Sequence, residues 1–130
     1  MDDWRAWTRV GHLLGRRLAE LSRQSDGFLI FPVPGDARSY VQWHAEPDRE
    51  FYAEAASGIY DGLPQTPEPT ARGLRQLGWE PPGQGWGGDA VWNWSRHWTA
   101  PVDLYAVVLL TVRTLREVFH ADPALLLEAL

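Results

Sequence analysis

A chain of 130 residues with 45% apolar content is expected to form a single domain over residues 1–130, with one core. Seventeen acidic residues against twelve basic ones, all of them arginine, give a net charge of −5, the wrong balance for a nucleic-acid binder. The absence of cysteine excludes a disulfide framework, an iron–sulfur site and a cysteine nucleophile.

Trp4, Trp7, Val10, Leu14, Leu18 and Leu21 recur at three- and four-residue steps and predict an amphipathic helix from about Asp3 to Arg23. Arg5, Arg9, Arg16 and Arg23 mark its opposite face, and Asp2 and Asp3 suit its N-terminus. Gly11 and Gly15 weaken it, which close packing on a neighbour would explain. Ser25-Asp26-Gly27 makes a turn. Phe28 to Val33 reads as a strand apolar on both faces, hence central. Pro34-Gly35-Asp36 and Glu46-Pro47-Asp48 are the turns on either side of a strand from Ser39 to Ala45, and Glu50 to Ala56 is the next. Val41, Trp43, Ala45, Phe51, Ala53 and Ala55 supply one apolar face for a helix to cover.

After the Gly58–Thr70 loop, Thr66-Pro67 is expected to cap a short helix to Leu77, stopped by Gly78. A Pro/Gly loop around Trp86, expected to be mobile, leads to a fourth strand, Ala90 to Trp98. Trp92, Trp94, Arg96 and Trp98 share one of its faces, and at least two of those tryptophans are expected to fill the core. Pro101 opens the last long helix, with Leu104, Val108, Val112, Leu115 and Phe119 as its buried stripe, widened by Val107, Leu109 and Leu110. Asp122-Pro123 breaks it, and the leucines of the tail dock on this domain or on a partner. The fold class is α+β, an antiparallel sheet flanked by helices in the order α-β-β-β-α-β-(β)-α.

No reactive constellation emerges. Gly83, Gly85 and Gly88 match G-x-G-x-x-G, but a proline pair precedes them and a strand follows, which is not a dinucleotide fingerprint. His12, His44, His97 and His120 fall on four separate elements without ligand spacing, although His44 and His97 can meet across the sheet. No serine sits in a G-x-S-x-G elbow, and Glu50 and Glu54 read as a solvated strand face. No catalytic residue, cofactor or metal is therefore expected. An acidic N-terminus and an apolar stretch, Tyr105 to Val112, far too short to span a bilayer point to a soluble cytoplasmic protein with no membrane association.

Several segments carry a family resemblance. These are Gly27-Phe28-Leu29-Ile30 after a Trp-containing helix, Tyr40-Val41-Gln42-Trp43, Leu74-Arg75-Gln76-Leu77-Gly78-Trp79-Glu80-Pro81, Trp92-Asn93-Trp94, and the terminal Thr114-Leu115-Arg116-Glu117-Val118-Phe119. Together they resemble the TY-Chap domains, bacterial domains related in fold to type III secretion chaperones and YbjN-like proteins. The resemblance implies a chaperone-like α-β-β-β-α-β-β-α fold, with the extra strand near Trp79 to Pro81. It implies a protein partner rather than a reaction, and homodimers are common in such folds. The expected function is a non-enzymatic chaperone or adaptor that holds an extended segment of a partner protein. Tyr40, Gln42, His44 and Tyr52, on the less apolar sheet face, are the expected partner-binding residues. The alternative is an immunity protein whose acidity neutralises a basic toxin domain.

Overall fold

The computed structural model describes residues 3–24, 27–46, 50–83 and 92–130. The turn residues Ser25, Asp26, Pro47 and Asp48, the loop around Trp86 with Gly85 and Gly88, and Ala90 and Val91 lie outside the described residues. Helix α1 (Trp4–Ser22) is capped by Asp3, whose carboxylate accepts the Ala6 N–H at 3.1 Å. Strands β1 (Gly27–Val33), β2 (Asp36–Ala45), β3 (Phe51–Ala55) and β4 (Trp94–Trp98) form one antiparallel sheet in the order β1-β2-β3-β4. Between β3 and β4 lie a 3₁₀ turn, Ile59–Asp61, and helix α2 (Glu68–Leu77). Helix α3 (Leu104–Arg113), a π-helical turn Thr114–Val118 and helix α4 (Pro123–Ala129) complete the chain.

The alternation in β2 and β3 decides the layering. Val41, Trp43, Ala45, Phe51, Ala53 and Ala55 point to one side and are buried there. Against them pack Val10, Leu14 and Leu18 of α1, with Val107 of α3, Leu115 of the π turn and Leu126 of α4 in the same core. The leucine tail therefore docks on its own domain. Each of these fully buried aliphatic side chains contributes about 1.5–3 kcal/mol of burial free energy.

Four sequence expectations change in detail. Strand β1 is an edge, not the centre: its only described strand partner is β2, and Phe28 and Ile30 are 54% and 46% exposed. Pro32 has no N–H for a second ladder, which suits an edge position. The strand sought near Trp79 is a single antiparallel bridge, Glu80 to Ser95, with reciprocal bonds of 2.8 and 3.1 Å. Thr66 is a latch rather than a helix cap. Its hydroxyl donates to Ser57 O at 2.9 Å and accepts Trp94 Nε1–H at 3.0 Å, while Pro67 occupies the N-cap of α2.

The last helix begins at Leu104, because the Asp103 carboxylate caps Tyr105 and Ala106. Its buried face is Val107, Thr111, Thr114, Leu115 and Val118, a small rotation from the expected stripe that keeps Leu115 and Val107. Thr111 and Thr114 can be buried because their hydroxyls bond to Val107 O and Leu110 O at 2.8 and 2.7 Å. Thr114 also accepts Trp79 Nε1–H at 3.0 Å, tying the α2–β4 connection to the π turn. The rotation leaves Leu104, Val108 and Val112 only partly buried, beside α1. Of the β4 tryptophans, Trp94 is buried, Trp98 is packed against the core and Trp92 is exposed. Gly78 closes α2 at φ 96°, and Arg96 donates to its carbonyl at 2.9 Å.

Candidate peptide-binding face

The helices pack on one side of the sheet, and strand register defines the other. Phe28, His44, Tyr52 and His97 stand in one row across all four strands. Ile30, Gln42, Glu54 and Ser95 form the next row. Within the first row the Phe28 and His44 rings are 4.7 Å apart and the His44 and Tyr52 rings 6.3 Å apart. His44 and His97 do not meet, because Tyr52 stands between them. His97 Nε2 instead lies 2.7 Å from Glu50 Oε2. A histidine–carboxylate pair can orient a catalytic base, but Ser95 on this face is 2% exposed and hydrogen-bonded to Tyr52.

All four expected binding residues, Tyr40, Gln42, His44 and Tyr52, occupy this face and are half-buried. Tyr40 differs in one respect: its hydroxyl accepts a hydrogen bond from Asn93 Nδ2 at 2.8 Å. Asn93 is itself buried, donates also to Glu54 Oε1 at 3.1 Å, and accepts from the Ser57 N–H and hydroxyl at 3.1 and 3.2 Å. Tyr40 therefore presents its ring, held in place, rather than a free hydroxyl. Tyr60 and Asp61 lie close enough to raise its pKa. Tyr60 stacks on Trp92 with ring centroids 5.3 Å apart, and both are exposed.

Sequence reasoning missed Phe28, Ile30, Asn93, Tyr60 and Trp92 as parts of this surface. Pro32 carried the signal for the first two, since a proline within a strand marks an edge. Nothing local marked Asn93, whose bonds reach 36, 39 and 53 residues along the chain.

Burial pushes the Tyr52 phenol from 10.0 up to about 12, with the Glu54 charge adding to the effect and a bond from Ser95 opposing it. Tyr40 is raised by burial first, with the Asn93 bond opposing and Glu54 adding. The folded state thus keeps protons that the unfolded chain releases above the ordinary phenol value. Stability therefore falls as pH rises from about 10 towards 12. A phenolate absorbance titration should show these two tyrosines ionising late, with loss of near-ultraviolet circular dichroism over the same range.

Among the described residues no group of three His, Asp or Glu side chains is placed to hold a metal ion, and no helix is long and apolar enough to cross a membrane. The molecule is thus an α+β layer, an antiparallel sheet roofed by helices on one side with aromatic and hydrogen-bonding side chains ranked across the other. Residues 3–129 match the family model TY-Chap3, described as T3SS (YopN, CesT) and YbjN peptide-binding chaperone 3. The chain belongs to that family of peptide-binding chaperones. No curated protein and no solved structure matches it.

Proposed function

We propose that this protein is a non-enzymatic cytoplasmic chaperone or adaptor that holds an extended segment of a client protein across the open sheet face. The observation that carries this reading is the row Phe28, His44, Tyr52 and His97, which runs across the strands from an exposed phenylalanine to a histidine paired with Glu50. Flat rings accept apolar client side chains in several orientations, and Gln42 and His44 supply hydrogen bonds to client backbone. Tyr40 and Tyr52 stay neutral across the physiological range, so they present amphipathic rather than charged surface. The net charge of −5 is what favours the alternative, an immunity protein for a basic toxin. Toxicity of a neighbouring gene product in the absence of this chain would identify that case.

The test is an array of unstructured peptides tiling proteins encoded beside this one, followed by fluorescence anisotropy on those captured. Tyr52→Ala combined with His44→Ala should weaken binding by about tenfold or more, as expected for aromatic contacts at the centre of an interface. Unchanged affinity in that double variant, with Tyr40→Ala equally silent, would remove the site from this face.

A further inference from the structure

The helical side of the molecule carries a second surface that the open sheet does not explain. Between α1 and α3 runs a trough of about 630 Å³. Trp7, Gly11 and Gly15 of α1 and Val108 and Val112 of α3 line it. Its lips are Trp4, Tyr105 and Leu109, which are 66%, 75% and 46% exposed. These three large apolar side chains stand together around one trough, so the patch calls for a partner.

Two further observations say what that partner is. The first concerns the glycines. A Cβ at Gly11 would sit 3.8 and 3.9 Å from Val112 and Val108, and one at Gly15 would sit 3.7 Å from Val108. These are ordinary contact distances, so alanine would fit at both positions. Packing of α1 on α3 therefore does not require glycine, contrary to the sequence-based expectation. Glycine is nonetheless a poor helix former. What it leaves here is open floor in the trough.

The second observation is charge. The molecule is acidic, yet this edge is basic. Arg116 and His12 line the trough, and Arg9, His12 and Arg16 line an adjoining depression on α1. Among the described residues no carboxylate lines either depression, while Asp3 and Asp122 lie beyond Arg116 in a third. The trough spans Trp4 to Gly15, about 17 Å of helix at 1.5 Å per residue, which matches about three turns of a partner helix. A second copy of this chain is a poor occupant, since a two-fold contact would set the same arginines against one another.

We propose that the α1–α3 trough is a docking site, separate from the sheet face, for the apolar side of an acidic amphipathic helix on a partner protein. Anchors at i, i+4 and i+7 of that helix fill the floor over Gly11 and Gly15, and its glutamates or aspartates meet Arg9 and Arg16.

The probe is a fluorescein-labelled helical peptide of about four turns, with leucines at those anchor positions and glutamates flanking them. An otherwise identical peptide carries lysine in place of glutamate. The acidic peptide should bind at least about tenfold more tightly than the basic one by fluorescence anisotropy, and raised salt should weaken it. Leu109→Glu should reduce its affinity by about tenfold or more, as should the pair Arg9→Glu and Arg16→Glu, whose exposed positions leave folding untouched. Arg38→Ser, at the far end of β2, should leave it unchanged. Gly11→Ala with Gly15→Ala should raise Tm while weakening the peptide, a pairing that a purely structural role for the glycines would not produce. Equal binding of the two peptides, or binding of neither, would overturn the proposal. So would sedimentation showing a dimer that Leu109→Glu converts to monomer, because the occupant would then be a second copy.

Discussion

Replacing Trp43 with alanine should cost about 3–5 kcal/mol of folding stability, measured by urea titration. Trp43 lies on the inner strand β2, fully buried, paired across the sheet with Leu29 on one side and Ala53 on the other. Its ring meets Phe31 edge-on at 6.2 Å and 70°. The neighbouring side chains on β3 are alanines, too small to collapse into the space that an indole leaves. The cavity would therefore persist, and cavity volume adds to the lost transfer free energy. Trp43→Phe should cost far less than Trp43→Ala. The buried indole N–H has no hydrogen-bond partner among the described residues, and removing it returns about 1–3 kcal/mol of desolvation cost. A phenylalanine variant as unstable as the alanine one would show that shape, not the unpaired donor, governs this position.

Asn93→Ala should destabilise the fold by about 3 kcal/mol and weaken client binding with it. One amide side chain holds three segments together: Ser57 after β3, Tyr40 of β2 and Glu54 of β3. Alanine would leave the Ser57 N–H without its acceptor and Tyr40 without the donor that fixes its ring. Asn93→Asp should be worse than alanine, because a carboxylate keeps the acceptor but turns the former donor into a negative oxygen facing Glu54. Chemical denaturation gives the stability term, and peptide anisotropy at a pH where every variant is folded gives the binding term. If Asn93→Asp proved as stable as the native chain, the pairing with Glu54 would have no energetic weight.

How much of this was legible beforehand follows from the range of each signal. The α1 helix, the β2–β3 alternation and the Gly78 stop are local patterns and match expectation closely, except that β2 begins at Asp36, three residues before its expected start at Ser39. That Tyr40, Gln42, His44 and Tyr52 share the face away from the helices follows from side-chain direction in a strand, which alternates with period two. The centrality of β1 was misread because apolar residues on both faces mean either a buried strand or an edge strand that leaves some of them exposed. Phe28 and Ile30 are the second case. Leu115 and Val107 of the last helix are buried as expected, but Thr111 and Thr114 were not anticipated, because a threonine that bonds its own backbone is as easily buried as a valine and hydropathy does not register that.

Periodicity and short motifs sufficed for the α+β class, the antiparallel meander, the covering helix and the family, because their physics is complete within a few residues. Which face stays open, the link that Asn93 makes between distant segments, and the arginine-edged trough between α1 and α3 emerge only once the chain is folded. Those features arise from pairing order and helix rotation, which are fixed by contacts between parts of the chain too far apart to be read from either one alone.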